Sequence, residues 1–206
     1  LDLTRGELSS RGTVKERAAE ADAAAKVLNL AVRENAGLPD GGIDNTEEQR
    51  RVVIPIIRRL RPRIILSPAP ADRHPDHRAA HALVRDANFF AGVSRIDTGD
   101  APYRAPELWF YHPYFETDET PAAVIDISEH FERKLEALRA YRSQFYNTDY
   151  PGPETYVASK AFWEAIHSRA AYWGYRIGAQ YGEPLFREGP VALGVLPLLN
   201  AQTEGE

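Results

Sequence analysis

An α/β fold, a mostly parallel sheet with helices on both faces, is predicted by three features of this sequence. Short β-rich apolar runs alternate with helix-like runs along most of the chain. Capping signatures mark two helix starts. The segment ADRHPDHRAAH, Ala71 to His81, sits where a strand-like run hands over to a helix, which is where open α/β sheets hold their ligands. Together they point to a Rossmann-like arrangement. At 206 residues the chain suits a single domain with a real core, read as 1–206.

The elements follow in order. Leu1 to Thr4 read as the end of a strand, and the polar stretch to Gly12 as a loop. Thr13-Val-Lys-Glu16 is a capping box opening a helix to about Leu30. A short strand around Ala31 to Arg33 and a GLPDGG loop (Gly37 to Gly42) come next. Thr46-Glu-Glu-Gln49 opens a second helix to Leu60, with Val53, Ile56, Ile57 and Leu60 at helical spacing. Pro55 conflicts with that run and predicts a kink or a later helix start. Arg63 to Ser67 read as a buried strand, and His77 to Phe90 as a helix. Leu108 to His112 and Ala123 to Ile127 are β-rich. Ser128 caps a helix to about Gln144. Ser159 to Tyr181 read as a helix with Phe162, Ile166, Ala170 and Trp173 on its buried stripe, and Pro184 to Leu199 is apolar and punctuated by Pro and Gly.

Composition excludes several function classes. A net charge of -5, with its basic residues dispersed, argues against a nucleic-acid partner. No run approaches the roughly 18 apolar residues of a membrane span. Cysteine is absent, which excludes a disulfide framework and thiolate chemistry and is compatible with a cytoplasmic location. Methionine is absent too, even at position 1, and the chain opens on LDLTRGE. The expectation is that the biological N-terminus lies upstream of Leu1.

Three of the six histidines fall between His74 and His81. His74 and His77 are three apart, with Pro75 stiffening the path between them; with Pro75 in the first helical turn, both rings can face the strand ends. Neutral imidazole is a common zinc ligand, and catalytic zinc takes three protein ligands and leaves one position open. The pair can supply two ligands, or one ligand and one catalytic group. Asp72 and Asp76 can orient an imidazole. The competing reading is of solvated histidines beside ordinary capping residues. His81, His112, His130 and His167 are read as structural. No G-x-G-x-x-G loop, P-loop or G-x-S-x-G elbow occurs, so dinucleotide, NTPase and serine-hydrolase readings fall away.

The segments DLTRGELSSRGTVKERAAEA, GLPDG, PADRHPDHRAAH and YWGYRIGAQYGEP, in that order, resemble the PIG-L/LmbE family of zinc-dependent N-deacetylases, and among them the bacillithiol-biosynthesis branch. The likeness spans nearly the whole chain. It implies an LmbE-like fold, a Zn2+ cofactor and the removal of an acetyl group from an N-acetylglucosamine conjugate, with N-acetylglucosaminyl malate the expected substrate. It makes His77 a metal ligand and His74 its catalytic neighbour, stabilising the oxyanion as a protonated ring. It makes Arg17 and Asp40 substrate contacts and puts Glu7 near the site. The family's other two ligands and its general base come from an AHPDD motif that this sequence does not contain, so a first strand, loop and helix are expected to be missing. The resemblance also implies a homo-oligomer. The alternatives are a deacetylase of chitin-type saccharides or another amino-sugar conjugate, and a catalytically silent carbohydrate-binding module.

Overall fold

The computed structural model describes residues 1–113 and 119–191. Helix α1 runs over Val14–Val27, opened by the complete Thr13–Glu16 capping box. Helix α2 spans Glu47–Leu60. Thr46 caps it, but Gln49 does not return the bond: its amide accepts from Asp44 N and donates to Gly42 O. The helix continues through Pro55 with neither a late start nor a break. The carbonyl that Pro55 cannot bond belongs to the exposed Arg51, so water can replace the lost bond.

Strand β1 is Ile64–Pro68 and helix α3 Pro75–Ala91. This helix starts two residues before the expected His77, because His74 caps it and Pro75 takes the first turn. Strand β2 is Glu107–Tyr111 and β3 Ala123–Asp126. Ser128–His130 form a short 3-10 turn before α4, Phe131–Ala140. Helix α5 covers Lys160–Tyr175, and β4 Gly182–Leu185. Ala31 to Arg33 form no strand; the chain instead makes an isolated parallel bridge two residues later, between Asp2 and Asn35. Residues 192–199 of the terminal apolar stretch lie outside the described residues.

The sheet is mixed. β1 pairs parallel with β2, from Ile64 beside Glu107 to Pro68 beside Tyr111. β3 and β4 pair antiparallel, which departs from the expected mostly parallel sheet. Phe110 and Phe186 exchange backbone bonds of 2.8 and 2.9 Å and join the two pairs. β4 follows a tight contact of the chain with α5. A Cβ on Gly174 would stand 2.6 Å from Tyr181 N, so only glycine lets the chain turn back this closely.

Val53, Ile54 and Ile57 of α2 pack against Ala80, Leu83 and Ala87 of α3, which gives the first core. Burying a side chain such as Leu83, at 0% exposure, is worth about 1.5–3 kcal/mol. A second core joins Phe131 and Leu135 of α4 to Phe162, Ile166 and Ala170 of α5, the stripe read from the sequence; Trp173 is only half-buried and not part of this cluster, and Gly174 is buried instead. Among the described residues β1 pairs only with β2. Along its other flank Ile64 and Leu66 remain 56% and 55% exposed. There a cleft of about 1050 Å³ separates β1 from the Leu1–Thr4 segment. No helix among the described residues is long and apolar enough to cross a membrane.

Candidate active site

At the end of β1 the chain stays pinned to β2, because Ala69 N donates to Tyr111 O at 2.9 Å. It then doubles back at Asp72, whose side chain is 2% exposed. Oδ1 of Asp72 accepts from His74 N at 2.7 Å and lies 3.2 Å from Nδ1 of His77, a charge contact not aligned as a hydrogen bond. A carboxylate this close to Nδ1 favours the proton on that nitrogen and leaves Nε2 as the ligating one, as carboxylates do beside metal-ligating histidines.

His74 has a different use. Its Nδ1 accepts from Asp76 N at 3.2 Å and caps α3. With Nδ1 an acceptor, the network assigns the ring proton to Nε2. His74 therefore presents an N–H donor at Nε2 while its Nδ1 caps the helix. The two rings stack with centroids 4.7 Å apart.

The other expected residues divide. Asp76 is buried and does not face an imidazole through its bonds: Oδ2 accepts from Gly41 N at 2.8 Å and ties α3 to the LPDG loop. Asp40 occupies the turn closed by Gly42 N on Pro39 O, and its Oδ2 accepts from Leu8 N at 2.8 Å. It braces one loop while still lining the cleft. Arg17 lines the cleft as well, packed against Gly6 with Nη1 on Ser9 Oγ at 3.2 Å. It pairs with neither Glu16, which caps α1, nor Glu20, which accepts from Ser143 N and Oγ at 2.6 and 2.8 Å. Glu7 is exposed, accepts from Arg5 N, and does not line the cleft.

His74, His77, Asp40 and Arg17 thus share one cleft, and Asp72 supports it from behind. Tyr111 also lines it. Burial, and then the nearby Asp72 charge, push its hydroxyl above the ordinary tyrosine range, so it remains a hydrogen-bond donor. The strand register that sets Tyr111 beside Pro68 is the signal that would have found it. Among the described residues no group of three or more His, Cys, Asp or Glu could hold a metal ion. The residues present fit one metal ligand and its orienting carboxylate, not a whole metal centre.

Comparison with known proteins gives a consistent picture. Residues 1–88 match the family model of PIG-L, GlcNAc-PI de-N-acetylase. A diacetylchitobiose deacetylase of Thermococcus kodakarensis is 30% identical over 192 residues, covering 89% of this chain and 66% of that protein. A 1D-myo-inositol 2-acetamido-2-deoxy-alpha-D-glucopyranoside deacetylase of Saccharopolyspora erythraea is 28% identical over 48% of this chain and 43% of its own length. The chain thus spans just under two thirds of the first relative and less than half of the second. Among solved structures, a conserved protein of Thermus thermophilus is similar with a TM-score of 0.83 and 36% identity, over 94% of this chain and 82% of that one. An N,N'-diacetylchitobiose deacetylase of Pyrococcus horikoshii follows at TM-score 0.73 and 23% identity, covering 89% and 69%. At those identities the second likeness speaks for the α/β fold alone.

Proposed function

We propose that the chain is a de-N-acetylase of the PIG-L type, which its first 88 residues resemble, and that it hydrolyses the N-acetyl group of a GlcNAc-containing substrate. One observation carries this reading: His74 and His77, at the carboxyl end of β1, face the same cleft as Arg17 and Asp40. In the reaction, water adds to the acetamide carbonyl carbon and the C–N bond breaks. Acetate and a free amine leave, and the proton taken from water ends on the amine.

We assign to His74 the donation of its Nε2–H to the carbonyl oxygen as negative charge develops there; one donor of this kind is worth about 2.7–4 kcal/mol. Asp72 keeps His77 in the tautomer that leaves Nε2 free to bind a metal. A zinc ion bound there would polarise the carbonyl and acidify water. The resemblance gives the remaining ligands and the general base to an AHPDD motif, which does not occur in this sequence.

A chitin-type disaccharide is the substrate that the Thermococcus relative supports. N-acetylglucosaminyl malate, and with it bacillithiol biosynthesis, is the second reading. It is favoured by Arg17, whose Nε is buried with no hydrogen-bond partner among the described residues and suits a carboxylate. The test is acetate release from each substrate by the chain joined to an AHPDD segment ahead of Leu1. Turnover of either supports deacetylation, and the faster one names the substrate class. His77→Ala should lose zinc, and His74→Ala should keep it and lose most turnover. Full zinc in His77→Ala overturns the ligand assignment, and no acetate from either substrate favours a silent carbohydrate-binding module.

A further inference from the structure

His81 lies one helical turn beyond His77 on α3 and so shares its face. It is 2% exposed, and the proposed reaction does not use it. Its Nδ1 stands 3.0 Å from Pro68 O and 3.4 Å from Ser67 Oγ, both at the carboxyl end of β1. A carbonyl only accepts, so Nδ1 carries the ring proton. Nε2 is then a buried acceptor without a hydrogen-bond partner among the described residues, and the nearest acid, Glu188, is 4.0 Å away and mostly exposed. Phe110 meets the ring edge-on at 5.4 Å and holds its plane.

The loop from Pro68 to His74 is therefore held to α3 at two points. His81 grips its root through Pro68 O, and Asp72 grips its far end at His77. We infer that His81 is a positioning residue: its Nδ1–H bond to Pro68 O sets the end of β1 against α3 and so keeps Asp72 at Nδ1 of His77. Without that bond the end of β1, still joined to β2 by Ala69 N on Tyr111 O, is no longer tied to α3 through His81. Asp72 acts on His77 through its charge at 3.2 Å, and a shift of about 1 Å would weaken that pull and no longer confine the His77 ring to one tautomer. The consequence for catalysis rests on His77 being a ligand; the tether itself does not.

Two amide side chains separate the nitrogen that matters. In His81→Asn the amide nitrogen takes the place of Nδ1 and can donate to Pro68 O. In His81→Gln it takes the place of Nε2 and cannot. Long-range 1H–15N correlation of the imidazole rings in the 206-residue chain reads each tautomer without metal or substrate. The wild type should show His81 as the Nδ1–H form and His77 as a single Nδ1–H form. His81→Asn should keep the His77 pattern, and His81→Gln should turn it into an average of both tautomers. Asp72→Asn should move His77 and leave His81 alone. An Nε2–H form at His81, or an unchanged His77 in His81→Gln, overturns the inference. Because the readout needs no turnover, its failure leaves the deacetylase reading standing, and failed acetate release leaves the tether standing.

Discussion

Asp76→Ala should destabilise the protein by about 2–4 kcal/mol. The Asp76 carboxylate is 8% exposed and accepts from Gly41 N at 2.8 Å. Losing a hydrogen bond to a charged group costs about 1.5–3 kcal/mol. The carboxylate also lies in the first turn of α3, where the helix dipole adds about 0.3–1 kcal/mol. Gly41 is exposed, so water can take its freed N–H and no buried-donor penalty is added. For a chain of this size the loss corresponds to roughly 6–12 °C in Tm. Asp76→Asn keeps an acceptor oxygen for Gly41 N and should cost only about half as much. Urea unfolding followed by the fluorescence of the three tryptophans measures both. An alanine variant within about 0.5 kcal/mol of wild type would refute the reasoning, as would an asparagine variant as damaging as alanine. Altered His74 or His77 ring signals at unchanged stability would instead restore Asp76 as a residue that orients an imidazole.

Gly174→Ala should cost about 1–3 kcal/mol, although alanine is the better helix former, because the new Cβ would meet Tyr181 N at 2.6 Å and Gln180 O at 2.7 Å and force α5 from the start of β4. A stabilised variant in thermal unfolding would sink that account. The raised Tyr111 hydroxyl gives a pH dependence at the alkaline end. The folded state holds this proton more tightly than the unfolded chain, so its stability contribution is whole below the ordinary tyrosine value near 10 and is lost as pH rises through the folded value. In an absorbance titration one of the ten tyrosines should ionise late, Tyr111→Phe should remove that step, and Asp72→Asn should bring it down without restoring it fully. A late step that survives Tyr111→Phe belongs to another residue.

Much of the secondary structure was legible because its signals are local. The Thr13–Glu16 capping box forms as read, and α5 buries Phe162, Ile166 and Ala170 at the expected spacing. The same local logic overreached where a neighbour intervened. Gln49 answers Asp44 in place of its own cap, and Ala31 to Arg33 lose their strand to the bridge at Asn35. In the site, the HPDH spacing correctly brought His74 and His77 together, since three residues on one helix start leave little freedom. The uses of the two aspartates were not legible. Asp72 and Asp76 look equivalent in sequence, yet one meets an imidazole and the other a loop nitrogen 35 residues away.

The sequence alone determined where α1, α2 and α5 begin, which residues carry imidazoles, and that His74 and His77 sit at the carboxyl end of a strand. Those properties depend on side chains within a turn or two of one another. Only the tertiary structure decided that β3 and β4 run antiparallel, and that Arg58, 2% exposed on α2, donates to Ala91 O and Val93 O at the end of α3. It also decided that Arg17 and Asp40 face His74 and His77 across one cleft, and that Tyr111 joins them. Each of these needs segments far apart in the chain to be packed at a fixed separation. That separation is set by the α2–α3 core and the β1–β2 register, neither of which is a property of any single stretch of residues.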